Sequence, residues 1–200
     1  MMAPDLVLAP LDLEFDEGRH EYRLGGRLVD GVTGLLGTIH RFDMVPPSIL
    51  AAAQERGTNT HIACQFWDED GDVDSSSLTP DTVLRLGWWR EFLADYRPEF
   101  IGIETRVYHR ALRYAGTADR FALIGGRPWV IDIKTALQSH PVWGMQTAAY
   151  AQAAGWGNAK RATVQLLTTG FRVIEWTDQS DWNAFASLLT LQRWLKKTGA

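Results

Sequence analysis

The segment "GTADRFALIGGRPWVIDIKTA", residues 116–136, sets Asp119, Asp132 and Lys134 among apolar and β-branched residues. Val130, Ile131 and Ile133 mark a buried central strand. Gly125-Gly126 reads as a two-residue hairpin turn. Such a turn pairs residues whose numbers sum to 251, which puts Asp119 opposite Asp132. A four-residue loop with the same centre gives the same pairing, and a single bulge shifts it by one. Directly opposed residues hold their Cβ atoms roughly 4.5–5.5 Å apart. Two ionised carboxylates at that range repel by about 3–4 kcal/mol at an effective dielectric near 20. A shared proton, a nearby cation or a divalent metal would relieve the repulsion. Lys134 leaves the same strand face as Asp132 and offsets part of it. Mg²⁺ or Mn²⁺, which accept oxygen ligands, would offset more. The plainer alternative is a buried Asp–Lys ion pair that only holds the sheet together.

"FIGIETRVYHR" (100–110), "RYAGTADRFALI" (113–124) and "RPWVIDIKT" (127–135) predict an antiparallel three-strand meander. "PVWGMQTAAYAQAAG" (141–155) predicts a helix with Pro141 near its start and Gly155 at its end. "RATVQLLTT" and "FRVIEWT" predict two more strands around Gly170, and "DQSDWNAFASLLTLQRWLKK" (178–197) a closing helix with lysines in its last turn. Upstream, "HEYRLGGRLV" (20–29) predicts a hairpin around Gly25-Gly26. Residues 47 to 67 predict a helix kinked near Gly57. "TPDTVLRLGWWREFLADY" (79–96) predicts a helix capped by Thr79, with Pro80 at its first position and Val83, Leu84, Trp88, Phe92 and Tyr96 on its apolar face. The order implies one α/β (α+β) domain over residues 1–200. It comprises a central mixed sheet flanked by helices, with an N-terminal strand and hairpin extension over 1–45 and a core from about 47 to 200.

Hydrophobic residues make up 46% of the 200-residue chain and charged residues 22%, a globular balance. No run approaches the ~18 apolar residues of a membrane span. The N-terminus lacks the basic start and apolar core of a secretory signal. Cys64 is the one cysteine, which excludes an internal disulfide framework and a four-cysteine cluster within the chain. A cytoplasmic setting without membrane is expected. The net charge of −4 argues against a polyanion partner until its distribution is read. Six acids and no Lys or Arg fall in "WDEDGDVDSSSLTPD" (67–81), leaving the rest of the chain at +2. The stretch 68–78 is expected to be a solvated loop. Basic residues are 16 arginines against 4 lysines. Arg97, Arg106, Arg110, Arg113, Arg120 and Arg127 lie close in sequence, and arginine suits bidentate phosphate contacts as well as solvated strand edges.

Asp119 followed by "Asp132-Ile133-Lys134" resembles the PD-(D/E)XK motif of the restriction-endonuclease-like nucleases. "GTAD" (116–119), "WVIDIKT" (129–135) and "QTAAYA" (146–151) resemble the RecB-like exonuclease branch, including its phage-type stand-alone members. "RGTNTH" (56–61) is similar to that branch's histidine-bearing helix, and "HEYRLGGRLVDGVTGLL" to the opening of its phage and mitochondrial-type exonucleases. The resemblance covers about residues 20 to 155. It implies a restriction-endonuclease-like sheet and a divalent-metal-dependent deoxyribonuclease, an exonuclease acting on linear DNA ends in recombination or repair. It implies Mg²⁺, with Mn²⁺ substituting, held by His61, Asp119, Asp132 and the Ile133 carbonyl. Lys134 would orient or deprotonate the attacking water, and Gln146 and Tyr150 would position the strand or Lys134. Glu104 would be an additional acid, and Arg56 and Arg120 would contact phosphate. The expected partner is DNA, with a separate single-strand annealing protein or helicase as a further one. The competing readings are a structure- or sequence-specific endonuclease and a non-catalytic nucleic-acid-binding relative. Plain packing also competes at His61 and Tyr150, and a strand-edge charge at Glu104. Trp88, Trp89 and Trp194 are expected in the core, whereas Trp67 and Trp143 are candidates for base stacking.

Overall fold

The computed structural model describes residues 5–40 and 45–199. The first residues of the N-terminal extension, and those just before its boundary at 45, lie outside the described residues. An N-terminal ribbon comprises β1 (Leu13–Asp16), β2 (Glu21–Leu24) and β3 (Arg27–Gly31), followed by the short α1 (Val32–Leu36). Two long helices come next, α2 (Pro47–Asp70) and α3 (Pro80–Tyr96). The predicted meander is β4 (Glu99–His109), β5 (Tyr114–Ile124) and β6 (Arg127–Lys134). The chain then forms α4 (Val142–Ala153), β7 (Lys160–Leu166), β8 (Phe171–Glu175) and α5 (Ser180–Thr198).

Among the described residues, the eight strands join one mixed sheet in the order β1-β2-β3-β5-β6-β7-β8, with β4 on the other side of β5. Gly125 and Gly126 take φ of 57° and 73°, the left-handed pair that a two-residue hairpin turn requires. The β5–β6 ladder keeps the sum of 251 from Ile124↔Arg127 to Arg120↔Ile131. One flank of β5 is shared: β3 pairs in parallel with its start, at Tyr114 and Ala115, and β6 pairs antiparallel with its end. Residues 116–119, the GTAD stretch, lie in the fork between them.

One core lies between the sheet and α1, α4 and α5, around Phe121, Tyr150, Trp156 and Phe185. A second lies under α2 and α3, around Cys64, Trp89, Phe92, Ile131 and Ile133, and a third at the N-terminal ribbon, around Leu13, Tyr22, Tyr108 and Ala115. Trp89 is core as expected, but Trp88 is only half-buried and Trp194 is exposed. Among the described residues, no helix is long and apolar enough to cross a membrane.

Three expectations are corrected. The helix predicted to kink near Gly57 runs unbroken over 24 residues to Asp70. A helical glycine costs only about 1 kcal/mol, less than the packing that continues on Thr60, Ala63 and Cys64. The buried face of α3 is Thr82, Arg85, Leu86, Trp89 and Phe92, while Val83 and Leu84 are exposed. That face turns inward because Arg85 is buried, donating to Asp81 Oδ2 at 2.9 Å and to the Leu166 carbonyl. The acidic stretch is not all solvated loop: its first residues complete α2, and the Asp68 side chain is fully buried.

Candidate metal centre

The alternation of β5 breaks where the site begins. Ala118 and Phe121, three residues apart, pack into the same core under α4 and α5. Between them, Asp119 and Arg120 both reach α2. Across β4, the pairs Ile103↔Arg120 and Thr105↔Ala118 bracket Glu104 opposite Asp119. Glu104 takes φ of 43°, a left-handed conformation that costs a non-glycine residue roughly 1–3 kcal/mol and persists only where its surroundings hold it.

Asp119 does not continue the ladder with its backbone. Its Oδ2 accepts the Ile133 N–H at 2.6 Å. The Ile133 carbonyl accepts from Nε2 of His61 on α2 at 2.9 Å. A carbonyl only accepts, so Nε2 carries the proton. Burial holds His61 below the usual histidine range against the pull of Asp119, which favours the neutral ring. Nδ1 then turns a lone pair toward Asp119 Oδ2 at 3.6 Å. Two acceptors facing each other are relieved by a cation between them. His61, Glu104 and Asp119 each offer a ligand atom within 4.8 Å of the others. This nitrogen-and-carboxylate donor set could hold a divalent metal ion.

Asp132 stands beside this cluster but outside it. Its fully buried carboxylate is held by Lys134, whose Nζ lies 2.8 Å from Oδ1 and 2.7 Å from Oδ2. Burial raises the Asp132 pKa, Lys134 opposes the rise and Asp119 adds to it. Burial also raises Glu104, Asp119 adds to the rise, and Arg120 works against it. For Lys134, burial opposes the charged form but is outweighed by Asp132, Asp119 and Glu104, so its pKa is raised. Burial and the Asp132 charge raise Tyr150 well above the usual tyrosine range.

From α4, Gln146 Nε2 donates to the Tyr150 hydroxyl at 3.0 Å, and both side chains are buried. Gly116 explains one requirement of this packing. A Cβ there would lie 2.6 Å from Tyr150 Cε1 and 3.2 Å from Val32 Cγ2. Gly116→Ala is therefore expected to displace the Tyr150 ring and to destabilise the protein by about 1–3 kcal/mol, read by urea titration. Lys134 and Gln146 share the wall of a cleft of about 490 Å³ with His40, His140, Gln138 and Trp143. Trp143 is nearly all core on its other side, and Trp67 lies under the Arg90 guanidinium at 4.1 Å.

Arg120 corrects the expectation of a phosphate contact. Its side chain is completely buried and donates to Asp68 Oδ2 at 2.7 Å, Glu104 Oε1 at 3.0 Å and the Asp119 carbonyl at 2.6 Å. Trp89 Nε1 donates to the other Asp68 oxygen at 2.9 Å. Burial raises Asp68 despite Arg120, while carboxylates around the guanidinium raise Arg120 against burial. The pair is thus costly to desolvate yet keeps the arginine charged. Arg56 is half-buried on α2, and its Nε finds no hydrogen-bond partner among the described residues. Sequence reading missed Asp68 and Tyr22, whose hydroxyl bonds Thr117 Oγ1 at 2.8 Å and ties the N-terminal ribbon to the GTAD strand. Asp68 had one signal: it follows His61 by seven residues, two helical turns on the same face.

No protein-family model and no curated protein matches the chain. Among solved structures it is similar to a protein described as SSO0001, at 18% identity and a TM-score of 0.37, over 66% of this chain and 71% of that one. It is also similar to LHK-Exo, solved in complex with dAMP, at 13% identity and a TM-score of 0.39, over 86% of this chain and 93% of that one.

Proposed function

We propose that this chain is a divalent-metal-dependent deoxyribonuclease, an exonuclease acting on linear DNA ends in recombination or repair. The observation that carries this reading is the convergence of His61, Glu104 and Asp119 beside the Lys134–Asp132 pair. Asp132 and the Ile133 carbonyl adjoin the cluster and complete the proposed ligand set. A divalent ion held there would neutralise a non-bridging phosphate oxygen and lower the pKa of a bound water. The chain's own groups supply the rest. Charged Lys134 faces the cleft and orients the attacking water as a hydrogen-bond donor, with Asp132 fixing its ammonium. Gln146 and Tyr150 hold the wall against which the strand lies.

The test combines binding and turnover. Mn²⁺ at a hundredfold excess over its Kd is expected to raise Tm by about 5–10 °C. End-labelled linear duplex with Mg²⁺ is expected to be degraded progressively, and EDTA to stop it. The 5′ and 3′ labels, used separately, read the polarity. Cleavage of covalently closed circles would replace the exonuclease reading with an endonuclease. DNA binding without cleavage would leave a non-catalytic relative. Neither metal stabilisation nor cleavage would reduce the site to a buried ion-pair network.

A further inference from the structure

We infer that Arg27, Arg110 and Arg113 form a second contact surface, remote from the metal centre, for the phosphodiester backbone of the substrate. The inference rests on the nuclease reading and extends it. These three arginines line one open cavity of about 880 Å³, where the β2–β3 turn meets the β4–β5 turn. All three are exposed, and among the described residues none has a side-chain hydrogen bond, ion pair or ring partner. The one carboxylate in the wall, Asp30, is already held by Arg193 and Lys196, each at 2.8 Å. Asp12 approaches the rim beside Gly25. A chain of net charge −4 thus gathers three uncompensated guanidinium groups in one place. Converging like charges without partners make an anion-binding surface, and arginine's fork matches phosphate oxygens.

Position favours a nucleic-acid backbone over a small anion. The cavity lies at the Tyr114 end of β5, and Asp119 stands five residues along the same strand. At ~3.4 Å per residue that is about 17 Å. One strand of a duplex advances ~3.4 Å per nucleotide, so a strand cut at the metal centre and laid along β5 would reach the arginines about five nucleotides away. The donors are spread around an open cavity rather than closed on one phosphate, and the exposed Leu28 in its wall offers sugar faces an apolar contact.

The test uses the triple variant Arg27→Gln/Arg110→Gln/Arg113→Gln. These side chains are exposed and unpaired, so folding is unaffected. A fluorescent 20-base-pair duplex in EDTA is expected to bind the variant ~10- to 100-fold more weakly at 0.1 M salt. The slope of log K against log salt is expected to be shallower by about 2–3, at ~0.9 per phosphate contact. Mg²⁺-dependent cleavage of a tetranucleotide, too short to span the two sites, is expected to be unchanged. Equal duplex affinity and slope in the two proteins would overturn the inference. Polyglutamate binding to the wild type, lost in the variant, with duplex binding unaffected, would assign the surface to acidic protein and overturn it as well. A wild-type protein that leaves end-labelled linear duplex intact in Mg²⁺ defeats the nuclease reading alone, because duplex binding in EDTA still decides the arginine surface.

Discussion

Asp119→Asn is expected to abolish metal-dependent hydrolysis, lowering it by about 10³-fold or more, while the protein stays folded. The amide keeps an oxygen where Asp119 Oδ2 accepts the Ile133 N–H, so the tie between β5 and β6 can persist. The substitution removes the charge that faces His61 Nδ1 and stands between Glu104 and the Lys134–Asp132 pair. A metal acting as a Lewis acid contributes several kcal/mol at a phosphoryl centre, and each 1.36 kcal/mol is tenfold in rate. Two measurements belong together. The Mn²⁺-induced rise in Tm should flatten, and the end-labelled duplex should remain intact. Lys134→Met should differ: hydrolysis falls, but metal stabilisation and DNA binding survive, because Lys134 is not a ligand. An Asp119→Asn protein with wild-type turnover would remove Asp119 from the metal centre and the proposed chemistry with it.

The parts of this site that follow local rules were legible in the sequence. Gly125-Gly126 set the β5–β6 register, and Thr79, Pro80 and Asp81 marked the start of α3. The GTAD and DIK stretches lie on adjacent strands, β5 and β6. What escaped depends on partners far apart in sequence. Arg120 meets Asp68 across 52 residues, and nothing local distinguishes a buried arginine from one at a strand edge. A reading that assigns charges to water or to a ligand therefore placed Asp68 in a solvated loop and Arg120 on phosphate. It also missed the face of α3, where Arg85 points inward. Nor does any propensity announce the left-handed Glu104, which would otherwise have read as an ordinary strand residue. The candidate metal cluster as folded is His61, Glu104 and Asp119. The resemblance had made Glu104 an additional acid and Asp132 a metal ligand.

Arg120→Met is expected to be the most destabilising single substitution near the site. It leaves Asp68 as an uncompensated buried carboxylate, for which a loss of about 3–5 kcal/mol is typical. In a chain of this size that lowers Tm by roughly 6–20 °C. Asp68→Leu/Arg120→Met should recover most of the loss, since two apolar side chains of similar volume replace the ion pair. Recovery should fall short by about 1 kcal/mol, because Trp89 Nε1 loses its acceptor. Stability and metal binding should then separate. In the double variant Glu104 has lost the Arg120 donor that holds it at 3.0 Å, and its left-handed backbone has lost a restraint. Mn²⁺ affinity, read as the midpoint of the thermal stabilisation, should fall about 10- to 100-fold, as it does when groups supporting metal ligands are removed. Arg120→Lys should lie between, since an ammonium keeps the charge but cannot reach Asp68, Glu104 and the Asp119 carbonyl at once. A double variant that recovers both stability and wild-type Mn²⁺ affinity would show that Arg120 only fills and neutralises the core. A variant that recovers the first without the second would show that one buried guanidinium couples helix α2 to the geometry of the metal ligands.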